Sequence, residues 1–294
     1  MIEQLIGGVS FFTAKDSANE TWLATGQLDG MGLEINDLKK VETHNLSAEL
    51  GALQPPATVG LGFPFSAPIN LLQLLAAKAE HNQFQSWQEV VEALIFTSID
   101  DFATQCRAVQ KEAKRLTNCR HRELTLAPFS KASLAELQTT YYGMRFLATL
   151  DPQRFSILPF QDKTAGRCTL IEVCPVTTLW CFGLQNTSSK SKEKRSSEQM
   201  LVLRSELLRK LTSLRDRKEE IWRCVPRLSV NKKFQHLVAG SDRALDAIIA
   251  CYCTAIWAAA PELYEDPYDM DDENVLLEGW LYAPASCRQA ISSS

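Results

Sequence analysis

The order of apolar and polar positions along the chain predicts a set of early strands. Apolar runs bounded by turn residues predict strands at 2–12, 20–27 and 32–35, with Asp29-Gly30 as a turn signal between the last two. Strands joined by such short connections form an antiparallel meander. Two later apolar runs, at 58–63 and 167–174, predict further strands, and the second is apolar on both faces, as in a central strand.

Helical patterns fill most of the remaining chain. A short helix is predicted at 45–53 and is stopped by Pro55-Pro56. Pro68 is expected near the first turn of a helix that runs to about 79, and Ser86 with Glu89 has the spacing of a capping box. Further helices are predicted, in chain order, at 100–116, 133–150, 175–182, 198–214 and 241–260. A short closing segment is expected at 276–282.

These elements predict an α/β protein with a mixed sheet, an antiparallel meander plus parallel strands, flanked by helices. We expect one domain over 1–294, with a helical insertion at 67–150. The Ser- and Lys-rich stretch 185–197 predicts a flexible polar loop, and 285–294 a tail. A composition of 45% apolar and 22% charged residues excludes general disorder.

Charge is unevenly distributed on a chain whose net charge is only −4. The segment 188–233 holds 14 Lys and Arg against 6 Asp and Glu, whereas 262–278 holds 8 acids and no base. Solvated helix faces and an acidic loop are the simpler interpretation. The alternative is a local phosphate-binding surface through which nucleic acid would bind. Its candidate residues are Lys190, Lys192, Lys194, Arg195, Lys232 and Lys233. No protein partner can be named from the sequence.

Cysteine usage and the apolar windows bear on the compartment. The nine cysteines include no CxxC pair, which favours free thiols in a reducing, cytoplasmic environment. The start of the chain lacks the pattern of a signal peptide. The most apolar window, 244–260, contains Asp246 and is short for a bilayer, so no membrane association is expected. Metalloprotease, nucleophile-elbow, P-loop and dinucleotide-binding motifs are absent from the sequence.

Two acids stand alone in apolar surroundings. Glu172 is the only charge between Cys168 and Gly183, and on a strand it shares a face with Leu170. A buried carboxylate binds a metal, pairs with a base or caps a buried backbone group, and the structural alternatives are favoured. Asp246 is the only charge from 244 to 260, one helical turn after Asp242. Helix-dipole stabilisation explains Asp242 better than Asp246.

Several short motifs, in order from Ile6 to Pro284, resemble a known family. The family is domain of unknown function four-two-nine, a group of predicted nucleases with a ribonuclease-H-like fold. The matching motifs lie on the expected strands, on the helical middle region and on the expected closing segment. They are Gly8-Val9-Ser10-Phe11, Gly60-Leu61-Gly62-Phe63-Pro64-Phe65, Ala127-Pro128-Phe129, Gln138 to Arg145, Ile171-Glu172-Val173-Cys174-Pro175, Ala244-Leu245-Asp246-Ala247, and Glu278 to Pro284.

The resemblance implies catalytic, metal-binding acids of which only Glu172 and Asp246 are present here. The other acidic positions of the family fall on Ser10, Gly62 and Arg243. A serine oxygen cannot balance a metal's charge, glycine offers no side chain, and arginine brings a positive charge. Asp16 and Asp242 are the candidates to replace a lost ligand.

Three functions follow as expectations. The first is a degenerate, non-catalytic or weakly active binding module of ribonuclease-H-like fold. The second is an active Mg²⁺- or Mn²⁺-dependent phosphodiester hydrolase that uses Glu172 and Asp246 as ligands. The third is a nucleic-acid-binding protein without catalysis. The first implies no cofactor, and an active enzyme requires the metal.

Overall fold

The computed structural model describes residues 3–11, 21–113, 133–184, 196–218, 220–269 and 274–284. Its centre is a seven-stranded sheet with the strand order β5-β6-β4-β1-β2-β3-β7. The strands are β1 (Gln4–Ser10), β2 (Thr21–Asp29), β3 (Gly32–Val41), β4 (Ala57–Leu61), β5 (Phe155–Ile157), β6 (Cys168–Glu172) and β7 (Arg227–Val230).

The sheet is mixed, as the sequence predicts. β1, β2 and β3 form the antiparallel meander. β4 pairs parallel with β1, β6 pairs parallel with β4, and β5 and β7 add parallel strands at the two ends. The carboxyl ends of β1, β4, β6 and β5 therefore meet at one side of the sheet, called the C-terminal edge below.

Helices cover both faces of this sheet. They are α1 (Leu46–Gly51), α2 (Ile69–Lys78), α3 (Trp87–Ile95), α4 (Ile99–Ala113), α5 (Leu134–Ala148), α6 (Pro175–Cys181), α7 (Ser197–Thr212), α8 (Lys232–Gly240), α9 (Asp242–Ala259) and α10 (Val275–Glu278). Short 3₁₀ helices lie at Thr43–Asn45, Leu214–Asp216, Glu220–Arg223, Pro261–Leu263 and Pro267–Asp269.

The third strand is longer than predicted. A bulge interrupts the alternation of buried and exposed residues, so the sequence pattern predicted only its first half. Gly26 pairs with Ile35 while Thr25 pairs with Asp37, so Asn36 is an extra residue in β3. The buried positions shift from the odd residues Leu33 and Ile35 to Leu38 and Val41, which breaks the two-residue period. The sequence prediction also missed β5, β7 and α8, of which the two strands have only three and four residues.

One helix start differs in detail from the prediction. Ser86 accepts the Glu89 N–H as expected, but the Glu89 carboxylate accepts the N–H of Gln85 rather than that of Ser86. The reciprocal capping box is therefore incomplete there. Pro68 is the N-cap of α2 and so lies next to its first turn, as predicted. Residues 114–132, 185–195 and 285–294 lie outside the described residues. They include the Ala127-Pro128-Phe129 motif, nearly all of the predicted polar loop and the tail.

The core is divided by the sheet into two large clusters. Ile6, Ala24 and Ile171 pack on the face that carries α9. Val9, Leu61 and Leu170 pack on the opposite face. A third cluster joins the helices α2 to α5 and is built around residues such as Leu72 and Phe102. The helical middle region thus has apolar contacts of its own.

The helix α9 approaches the sheet at two glycines. A Cβ atom on Gly8 would overlap the backbone of Ala247 and Cys251, and one on Gly60 would overlap the Thr254 hydroxyl. Gly8 and Gly60 are paired across β1 and β4, so they form one shallow groove under the helix.

Although α9 is almost wholly buried, no helix in the described ranges has both the length and the apolarity to cross a bilayer.

We predict that Gly8→Ala destabilises the protein by at least about 1–3 kcal/mol, because the added methyl group displaces α9 from the sheet. Urea unfolding measures the change. Gly240→Ala is the matched control, since a Cβ there meets open space and the variant should be within about 1 kcal/mol of the parent. Equal stability of Gly8→Ala and the parent would contradict the packing described here.

Candidate functional site at the C-terminal edge

Three positions from the sequence analysis lie side by side at the C-terminal edge. Ser10 ends β1, Glu172 ends β6, and Gly62 directly follows β4 between them. The Gly62 N–H donates to the Val9 carbonyl at 2.9 Å, and Leu61 pairs with Glu172. Ligands of open α/β sheets commonly bind outside the carboxyl ends of the strands, so this edge is the candidate site.

Ser10 and Gly62 contribute little anionic chemistry to this edge. Ser10 is buried, and strand alternation places it on the α9 face together with Ile6 and Gly8. A Cβ on Gly62 would lie 2.8 Å from the Val9 carbonyl oxygen, a contact with backbone that cannot easily yield. The glycine at position 62 therefore has a packing reason, and an acid there would require the backbone to move.

Glu172 is buried and is engaged with the backbone of a neighbouring loop. Only 2% of the residue is exposed, and its Oε2 accepts the N–H of Phe65 at 2.8 Å. Its own carbonyl accepts the Tyr282 N–H at 3.0 Å, so the closing segment is attached to the end of β6. Of the roles open to this acid from the sequence, the capping of a buried backbone group is confirmed.

A second buried acid, Glu278, was missed as a functional candidate. It is 3% exposed, and its Oε1 accepts the Ile69 N–H at 2.6 Å. Next to it, the Ser66 hydroxyl donates to the Leu277 carbonyl at 2.5 Å. A signal was present in the sequence, since Glu278, although counted with the acidic segment 262–278, is the only charge from 274 to 287. The two carboxylates together hold the loop between β4 and α2.

Asp246 lies on the flank of α9 that faces the C-terminal edge. Cys253 is seven residues further, hence on the same flank, and its sulfur is 3.7 Å from the Tyr282 carbonyl oxygen. The opposite flank carries Tyr252, whose hydroxyl donates to the Pro226 carbonyl. Pro226 directly precedes β7, so it lies at the edge of the sheet opposite the C-terminal edge. Arg243 precedes Asp246 by three residues on the same side of the helix. Asp246 is half-buried.

Asp242 is committed to an ion pair. Arg204 donates to its two carboxylate oxygens at 2.7 and 3.1 Å and also to the Ala239 carbonyl at 2.9 Å. This fork joins α7 to the first turn of α9, where the helix dipole also favours an acid. Asp242 is therefore poorly placed to replace a lost metal ligand. Asp16 lies outside the described residues.

Strand alternation assigns Glu172 to the face of the sheet opposite α9, the helix that carries Asp246. Glu172 shares the face of Leu170, and its partner Phe65 belongs to the same cluster, whereas α9 lies on the other face. No group of three or more His, Cys, Asp or Glu able to hold a metal occurs among the described residues.

Part of the basic segment is used for structure where it is described. Arg215 donates to the Met31 carbonyl, Arg217 to the Phe182 carbonyl and Arg227 to Asp216. Lys232 and Lys233 are exposed in the first turn of α8, at the same edge but three strands from β1, roughly 14 Å. Lys190, Lys192, Lys194 and Arg195 lie outside the described residues.

Comparisons of the chain with protein-family models, with curated proteins and with solved structures found no match. The site is therefore defined by the geometry of this chain alone.

We predict a graded loss of stability at Glu172. Glu172→Ala leaves the buried Phe65 N–H without its acceptor and should lower the free energy of unfolding by about 1–3 kcal/mol or more. Glu172→Gln keeps an acceptor oxygen and should therefore lose less stability than Glu172→Ala. It should still be less stable than the parent, because a hydrogen bond to a neutral amide is weaker than one to a carboxylate. Urea denaturation of both variants gives the order. If Glu172→Ala were as stable as the parent, a structural role for this acid would be wrong.

Proposed function

We propose that the chain is a ribonuclease-H-like protein with a degenerate acidic centre, acting as a binding module without efficient phosphodiester cleavage. The fold assignment is supported by the antiparallel meander, by the parallel strands that continue it beside β1 and by the helix α9 across its face. The single observation that carries the functional proposal is the chemistry of the C-terminal edge. There, Ser10 is neutral, Gly62 has no room for a side chain, and Glu172 accepts a backbone N–H.

Two-metal hydrolysis requires several carboxylates that converge on a pair of ions about 4 Å apart. The described residues do not fit such a centre, because Glu172 and Asp246 approach the edge from opposite faces. A loop fixed by two buried carboxylates instead gives a rigid rim around the ends of the central strands. A rigid rim of this kind positions groups for binding.

We expect the parent protein to show no metal-dependent cleavage of structured DNA or RNA at millimolar Mg²⁺ or Mn²⁺. Ser10→Asp places a carboxylate on the α9 face, at the edge that the Asp246 flank also faces, and should tighten Mn²⁺ binding about tenfold. Ser10→Asn is the matched control, since it has the same size without the charge. Calorimetric titration with Mn²⁺ measures the difference. Robust cleavage by the parent that Glu172→Gln abolishes would establish the active hydrolase and overturn the proposal.

Nucleic acid is a second candidate, as the ligand of such a module, because Lys232 and Lys233 are exposed at the same edge. Replacement of both by Ala should weaken binding to single- and double-stranded probes regardless of sequence. It should also reduce the slope of log affinity against log salt by about 1.5–2. Fluorescence anisotropy at several salt concentrations measures both. An affinity that does not change with salt concentration, or no binding by the parent, would exclude this ligand.

A further inference from the structure

A cavity of about 230 Å³ lies beside the carboxyl ends of β5 and β6, on the α9 side of the sheet. Four aromatic side chains line it: Trp257, Tyr264, Tyr268 and Tyr282. This volume is below the 300–1,000 Å³ that is typical of sites for drug-sized ligands. The cavity therefore suits a small group rather than a nucleotide.

The aromatic rings are fixed before any ligand binds. The Tyr264 hydroxyl donates to the Cys253 carbonyl at 3.0 Å, and the Tyr268 hydroxyl donates to the Pro159 carbonyl at 2.8 Å. Trp257 and Tyr282 meet edge to face, with centroids 5.6 Å apart. Because these two tyrosine protons are already used, the cavity offers a ligand aromatic rings rather than these hydroxyl donors, and aromatic rings attract cations.

The walls of the cavity carry an excess of negative charge. Asp162, Glu265 and Asp266 line it, against a single base, Lys163. Burial, and then the charges of Asp162 and Asp266, raise the pKa of Tyr268 above its ordinary value. The acidic segment found in the sequence thus contributes two carboxylates to one aromatic cavity.

The chain already places a cation against this aromatic wall. The Lys163 ammonium lies 5.2 Å from the centroid of the Trp257 ring. Lys163 is exposed and sits on a flexible stem, so its head group can leave the ring for water. It behaves as a built-in occupant that a better cation would displace.

We propose that this cavity binds a small quaternary ammonium group. Aromatic faces together with carboxylates are the chemistry that recognises methylated ammonium ions. Small metal cations are disfavoured, because they require converging oxygen ligands rather than rings. The group is carried either by a free small molecule or by a trimethylated lysine of a peptide. This inference does not rest on the proposed function, since none of the four aromatic residues belongs to the acidic centre.

Calorimetric titration of the full chain with choline chloride, against sodium chloride at equal ionic strength, tests the proposal. We expect saturable binding of choline. Asp266→Asn keeps the oxygen that accepts the Tyr268 N–H at 2.9 Å but removes the charge, and it should weaken binding about three- to tenfold. Glu262→Gln is the matched control, because this exposed acid of the same segment does not line the cavity, and its affinity should equal that of the parent.

Lys163→Ala removes the internal competitor and should tighten choline binding about two- to fivefold. A parallel titration with a trimethyllysine peptide and its unmethylated form separates the two sources. Choline binding identifies a small-molecule site, and binding of the methylated peptide alone assigns the cavity to a modified protein tail. Failure of both probes to bind the parent and Lys163→Ala overturns the proposal, as does binding that Asp266→Asn leaves unchanged.

Discussion

Helix α9 lies unusually close to the sheet at Gly8 and Gly60, where an added Cβ atom would overlap the helix. Because glycine has no side chain, the helix backbone lies directly against β1 and β4 at these two positions. That contact fixes the rotation of α9, because the helix cannot turn without driving Ala247 or Thr254 into the strands. The rotation decides which flank faces the C-terminal edge, and therefore where Asp246, Cys253 and Trp257 lie.

At the same edge, two buried carboxylates stabilise the backbone of a loop. Glu172 and Glu278 are both buried, and each accepts a backbone N–H from the segment 63–69. A buried carboxylate is tolerated when hydrogen bonds to it replace those of water. Used in this way, the two acids fix a loop rather than an ion. The cavity beside β5 lies at the same edge but uses aromatic faces instead, so the edge carries two kinds of chemistry.

Much of the fold was predictable from the sequence, and the failures have physical causes. The meander, β4, β6 and the long helices follow from hydrophobic periodicity and turn residues. The second half of β3 was hidden by the bulge at Asn36, and β5 and β7 are too short to have a pattern. For Glu172, its isolation predicted burial and favoured a structural role. Its partner Phe65 is 107 residues away and could be found only in three dimensions. Strand alternation already assigned Glu172 to the face of Leu170. The sequence could not predict against which face of the sheet α9 packs.

We propose that Glu172 holds the loop at Phe65 and does not share a metal ion with Asp246. A crystal structure of the protein grown with Mn²⁺, with the ion located by its anomalous scattering, measures this directly. We expect no Mn²⁺ between the two side chains, with the Glu172 carboxylate still accepting the Phe65 N–H. An Mn²⁺ ion coordinated by both Glu172 and Asp246 would contradict it.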